Sequence, residues 1–135
     1  MAKAKEFRVT IEDRPGALGG TCQALGEHKV NILGFQSFVE QGESLARFVV
    51  DDAETTLKVL RELHANFEQE DVAVVTLPHR PGEVGRAALK LGENRINVNY
   101  SYCGVTPGSN EPFAIFGVDQ VTRASQVLDE YVGKK

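Results

Sequence analysis

The chain has no tryptophan, a single methionine and only two cysteines among its 135 residues. Cys22 and Cys103 lie far apart, with no Cys-x-x-Cys pair and no Cys/His spacing suited to a metal. That scarcity argues against a disulfide scaffold or a zinc module and points to reduced thiols in a cytoplasm. Long apolar runs are missing too: none approaches the roughly 18 residues of a membrane span. The opening MAKAKEF carries positive charge with no apolar segment behind it, so no secretory signal is expected. Nor is there an excess of basic charge, with 15 Lys+Arg against 19 Asp+Glu and a net charge of −4 at pH 7. Without a basic footprint, neither nucleic acid nor an anionic membrane is expected as a partner. A content of 41% hydrophobic and 25% charged residues is that of a globular protein.

The chain repeats itself. Shifted by 66 positions, residues 7–34 fall on residues 73–100 with ten of 28 positions identical. The matches include Val9/Val75, Thr10/Thr76, Arg14/Arg80, Pro15/Pro81, Gly16/Gly82, Gly19/Gly85, Gly26/Gly92 and Asn31/Asn97. Unrelated segments would share about two. Further on the offset becomes 68, since Phe48-Val49-Val50-Asp51 matches Phe116-Gly117-Val118-Asp119. The two extra residues are placed in the loop-like stretch Thr106–Pro112. Two units follow, 1–70 and 71–135, each too small to bury much alone, so a shared core or sheet is expected.

Each unit reads as βαββα. In the first, Phe7–Ile11 alternates as a strand, and Pro15 stands in a helix's first turn with Asp13 as its N-cap. Leu18, Cys22 and Leu25 form the helix's apolar stripe, matched by Val84, Ala88 and Leu91. Val30–Val39 and Leu45–Val50 form a hairpin turning at Gln41-Gly42-Glu43. Asp51 or Asp52 caps a last helix whose apolar face is Leu57, Leu60 and Leu63. The second unit repeats this with Val72–Leu77, Pro81–Glu93, Asn97–Val105, Phe113–Val118 and Thr122–Tyr131. A short fourth strand is available only at Asn66–Gln69, and the final Gly133-Lys134-Lys135 supplies none to unit 2. The fold class is therefore α+β: two ferredoxin-like βαββα(β) units with antiparallel sheets and helices packed on one face.

The strand-to-helix loop carries the chemistry. The first amides of a helix are unpaired and have the positive end of the dipole behind them, which suits a carboxylate or phosphate. Gly16 and Gly82 remove a side chain where a ligand would approach the backbone. Asp13 can accept from an ammonium, and Asn31 offers a donor and an acceptor. Together these suit the zwitterion of a free amino acid. The plainer readings are that Asp13 only caps, the glycines only shape the turn, and Asn31 and Asn97 only satisfy backbone at a strand start. Cys22 is assigned to the core and His28 and His64 to helix ends without a role. Tyr100 and Tyr102 share one strand face, either under a helix or in a cleft.

Asp13-Arg14-Pro15-Gly16-Ala17-Leu18 with Gly26 and Val30-Asn31-Ile32 resembles the ACT domain, and His79-Arg80-Pro81-Gly82-Glu83-Val84 with Gly92 and Ile96-Asn97-Val98 is a weaker second copy. From Phe7 to about Tyr131 the chain is most similar to stand-alone tandem ACT proteins with no catalytic domain. The resemblance implies amino-acid binding at the strand 1–helix 1 loop and the inter-unit interface. The implied ligand-binding residues are Asp13, Arg14, Gly16, Ala17, Leu18 and Asn31 in unit 1, and His79, Gly82, Glu83, Val84 and Asn97 in unit 2. No catalytic residue, metal or cofactor is implied. The partners are an amino acid, a second copy of the chain in a homodimer, and a regulated enzyme or regulator.

Unit 2 departs from the pattern. His79 replaces an acid or amide, Glu83 puts negative charge in the helix's first turn, and Pro78 stiffens the approach, so its site is either re-tuned or lost. Two other functions compete with an amino-acid sensor. An acylphosphatase-like hydrolase would use Arg14 for phosphate and Asn31 for water, yet no general base or nucleophile is supplied. RNA binding through Gly16-Ala17-Leu18-Gly19 lacks stacking aromatics and a basic surround. An interaction scaffold without a ligand is the remaining alternative.

Overall fold

The computed structural model describes residues 3–106 and 108–133; Met1, Ala2, Pro107, Lys134 and Lys135, which entered the reading of the termini and of the Thr106–Pro112 loop, lie outside them. Ten elements follow one another: β1 (Lys3–Ile11), α1 (Ala17–Glu27), β2 (Ile32–Glu40), β3 (Glu43–Val50), α2 (Ala53–Glu62), β4 (Asn66–Thr76), α3 (Glu83–Glu93), β5 (Val98–Val105), β6 (Pro112–Val118) and α4 (Val121–Gly133). The architecture is α+β, with antiparallel strands and four helices.

The chain divides into two compact units. Residues 5–70 make the N-terminal unit; the C-terminal unit takes residue 71 onward together with Lys3 and Ala4. Lys3 belongs with the C-terminal unit, where its Nζ donates to Thr122 Oγ1 at 3.0 Å. The fourth strand differs from expectation. Asn66–Gln69 and the expected Val72–Leu77 are not separate strands: both fall in the continuous β4, which ends at Thr76, one residue before Leu77.

Within the N-terminal unit β3 pairs with both β1 and β2. Phe7, Val9 and Ile11 of β1 and Ala46 and Phe48 of β3 turn one face of these strands toward Leu25 of α1 and Val59 and Leu60 of α2. Within the C-terminal unit β6 pairs with both β4 and β5, and Ala73, Val75, Ala114 and Phe116 meet Ala87 and Leu91 of α3 and Ala124 and Leu128 of α4. The internal repeat extends to register. Phe7 opposite Phe48 becomes Ala73 opposite Phe116, and Phe35 opposite Phe48 becomes Ser101 opposite Phe116. The irregularity at Ile32/Gly34 recurs at Val98/Tyr100.

The β2–β3 hairpin turns in two residues, Gln41 at φ 51° and Gly42 at φ 78°. Two left-handed residues make a type I′ turn, whose twist matches that of the flanking strands. Asp52 is the N-cap of α2, its carboxylate accepting from the Thr55 amide at 3.0 Å and the Thr55 hydroxyl at 2.6 Å. Those two bonds hold the Asp52 carboxyl below the ordinary aspartate value.

The helix stripes match the expected ones in part: Leu25 and Leu91 are buried and Leu18 and Ala88 pack against the cores, while other positions differ. In α3 the buried positions are Glu83, Ala87 and Leu91, leaving Val84 46% exposed. In α1 they are Ala17 and Leu25, with Leu18 packed at the core's margin and Cys22 only half-buried. Burial pushes the Cys22 thiol up, which disfavours the thiolate. Leu63 is not on the buried face of α2 either; it forms the helix's C-cap and is 46% exposed.

The C-termini of α1 and α3 close with the Schellman pattern. Val30 N–H donates to Leu25 O and Lys29 N–H to Gly26 O, and Ile96 and Arg95 repeat both bonds to Leu91 and Gly92. The left-handed position is held by Lys29 at φ 62° and Arg95 at φ 58°, not by glycine. A left-handed side chain costs about 1 kcal/mol, so Lys29→Gly and Arg95→Gly are each expected to stabilise by up to that amount in thermal unfolding. Loss of stability in both variants would contradict this.

Candidate functional site

The turn between β1 and α1 does not cap as the sequence suggested. The N-cap of α1 is Gly16 at φ 85°, with no side-chain hydrogen bond; Pro15 lies in the turn before it and Asp13 is exposed. The left-handed conformation explains the change, because it suits glycine and leaves no place for an aspartate three residues earlier. Ala17 N–H reaches back to Arg14 O at 3.3 Å, and Gly20 N–H donates to Gly16 O. The N–H groups of Leu18 and Gly19 find no acceptor among the described residues.

Beside this turn lies a cleft of about 660 Å³ inside the N-terminal unit. Its walls are the end of β1 (Val9–Glu12), Arg14, one side of α1 (Gly16, Ala17, Gly20, Thr21) and the α2–β4 turn (Leu63–Asn66). The α1 wall is open because it carries glycine and alanine: nothing lies within 4 Å of a Cβ built at Gly16 or Gly20. Arg14 Nε donates to Glu12 Oε2, and both side chains are largely exposed, so the mouth offers one cation and one anion side by side. Such an exposed pair contributes little to stability and is readily exchanged for a ligand's own charges.

Of the expected residues, Arg14, Gly16 and Ala17 line the cleft. Asp13, Leu18 and Asn31 do not. Asn31 precedes β2 instead of lying in it. Its N–H donates to Asp51 Oδ1 at 2.9 Å and its carbonyl accepts from Asp51 N–H, the structural role of a strand start. Sequence reasoning missed Glu12, Gly20, Leu63 and Asn66, and gave no role to His64, which lines the cleft from a left-handed position at φ 55°. Only Glu12 could have been found locally, as the charge two residues from Arg14.

In the C-terminal unit the corresponding residues are engaged differently. His79 and Asn97 are exposed, with Asn97 Nδ2 donating to Asn99 Oδ1 at 3.4 Å. Gly82, at φ 88°, is the N-cap of α3, and Glu83 is buried against Arg80. Among the described residues no group of three or more His, Cys, Asp or Glu is placed to hold a metal, and no helix is long and apolar enough to cross a membrane.

The ACT domain family model matches residues 5–68. No curated protein matches the chain. Among solved structures, a protein from Bacteroides thetaiotaomicron has a TM-score of 0.84 at 19% identity, over 96% of this chain and 89% of its own. The ligand-free regulatory subunit of aspartate kinase from Thermus thermophilus has a TM-score of 0.64 at 15% identity, over 96% of this chain and 91% of its own. The same subunit from Thermus flavus gives 0.60 at 15%, over 96% and 92%. At such identities the likeness is one of fold.

Proposed function

We propose that the chain is a tandem of two ACT units, 1–70 and 71–135, without catalytic activity of their own, and that its N-terminal unit senses a free amino acid in the β1–α1 cleft. The observation that carries this reading is the pairing of Arg14 and Glu12 at the mouth of that cleft. Arg14 faces the ligand's carboxylate and Glu12 its ammonium, while Val9, Ile11 and Leu63 offer apolar wall to a side chain. The match of residues 5–68 to the ACT domain and the fold shared with the Thermus regulatory subunits support a regulatory role. Occupancy acts by population shift, and a coupling of about 1–3 kcal/mol is enough to regulate a partner enzyme or regulator. The exposed Phe35 and Val39 of β2 support a homodimer, and the free Cys22 and Cys103 support a cytoplasmic setting.

The test is a thermal-shift screen of the twenty amino acids at millimolar concentration. A true ligand at about 100 times its dissociation constant stabilises by roughly 2.7 kcal/mol. Arg14→Ala is expected to weaken binding about 10- to 100-fold, the loss of a charge-assisted hydrogen bond. Glu12→Gln weakens it to a similar degree, whereas Asp13→Ala leaves it unchanged. Silence across the panel, or a ligand indifferent to Arg14, overturns the reading.

A further inference from the structure

Three residues that wall the open cleft of the N-terminal unit have counterparts by the internal repeat. Ala17 and Gly20 correspond to Glu83 and Arg86 at the offset of 66, and Leu63 corresponds to Tyr131 at the offset of 68. In the C-terminal unit two of these side chains, Arg86 and Tyr131, bind the third, Glu83. Arg86 Nη2 lies 3.2 Å from Glu83 Oε2, and the Tyr131 hydroxyl donates to Glu83 Oε1 at 3.1 Å. Arg80, the counterpart of Arg14, donates its Nε to the same Oε2. Both carboxylate oxygens are thus engaged, and Glu83 is only 2% exposed although Arg80 and Arg86 reach solvent. Gly82 leaves the room that Arg86 uses: a Cβ there would stand 2.6 Å from Nη1. Arg86 Nη2 also donates to Pro81 O at 3.0 Å, which fixes the guanidinium over the turn.

A glutamate at a core-facing helix position breaks the usual pattern of polar and apolar residues, and such breaks concentrate where a site has been built. Here the carboxylate is held by two guanidinium groups, a phenol and the positive end of α3, the donor set that recognises a small carboxylate. We propose that the C-terminal unit contains a carboxylate-binding site permanently occupied by its own Glu83, so that the chain senses with one copy and keeps the other closed by an internal ligand. The proposal extends the ligand-sensing reading and rests on it for the role of the open cleft, but not for the chemistry of the closed one.

Glu83→Ala removes the internal carboxylate and leaves Arg80, Arg86 and Tyr131 in place. Unfolding of this variant is compared in sodium propionate and in sodium chloride at equal ionic strength. Propionate at about ten times its dissociation constant is expected to raise the melting temperature by about 3–6 °C. The wild type shows no such difference, and Glu83→Ala with Arg86→Ala shows none. An equal response in wild type and variant, or none in the variant, overturns the proposal. Should Glu83→Ala be unfolded in chloride, recovery of its circular dichroism in propionate supports the proposal and failure to recover overturns it. The amino-acid response of the open cleft is read separately on the wild type and Arg14→Ala, so the two readings fail independently.

Discussion

Replacing Arg47 with methionine is expected to cost about 3–5 kcal/mol, the loss that follows when one member of a buried ion pair is removed. Glu6 on β1 has no exposed surface, and Arg47 on β3 is only 13% exposed in its side chain. Arg47 Nη1 stands 2.8 Å from Glu6 Oε1, and Glu70 Oε2 lies 4.0 Å from the same nitrogen. The register explains the meeting. Glu6 is opposite Val49 and Arg8 opposite Arg47, so Glu6 and Arg47 are diagonal neighbours on one face of the β1–β3 pair. Methionine keeps the bulk and deletes the guanidinium, so the buried carboxylate loses the cation that stands 2.8 Å from it. Glu6→Gln in the Arg47→Met background is expected to restore more than half of the loss, because the burial cost belongs mainly to the carboxylate's charge once its cation is gone. Urea unfolding of the four proteins of the cycle measures this. A single-variant cost below about 1 kcal/mol, the range of exposed pairs, would sink the idea.

The parts of the fold that were legible in the sequence are those determined within a few residues or by the repeat itself. Strand alternation at Phe7–Ile11, the glycine-bearing turn at Gln41-Gly42 and a cap at Asp51 or Asp52 are local signals, and the structure contains all three, with Asp52 as the cap. The helix phase was harder. The i, i+4, i+7 spacing placed the α1 stripe on Leu18, Cys22 and Leu25. Leu25 is buried and Leu18 packs against the core, but Cys22 is only half-buried, and Ala17, the first helical residue after the left-handed Gly16, is buried with Leu25. In α3 the same phase buries Glu83 in preference to Val84, a choice that no hydrophobicity pattern makes, since it depends on Arg80, Arg86 and Tyr131 arriving around the carboxylate. The cleft was half legible for a similar reason. Arg14, Gly16 and Ala17 stand in the motif, but its opposite wall is the α2–β4 turn some fifty residues away, which has no motif of its own.

The second large effect is expected at Gly117, where valine should cost about 3 kcal/mol, the upper part of the range for overpacking. Gly117 on β6 lies opposite Tyr100 on β5, and the tyrosine ring crosses it so closely that a Cβ would fall 2.1 Å from Cε1 and Cζ. The ring cannot simply step aside, because it stacks on Tyr102 at a centroid distance of 6.4 Å and an interplanar angle of 12°. The N-terminal unit shows how such a pair is otherwise filled. Its corresponding positions are Gly34 opposite Val49, so the bulk sits on the other strand. One cross-strand position thus accommodates a large and a small residue in either order, but not two large ones. Tyr100→Gly combined with Gly117→Val copies the N-terminal arrangement and is expected to be more stable than the sum of the two single changes by at least about 1 kcal/mol. Additive costs in a double-variant cycle, followed by thermal or urea unfolding, would show that the glycine is not there for the ring. Coupling of the expected sign would show that the two copies solve one packing problem in opposite ways.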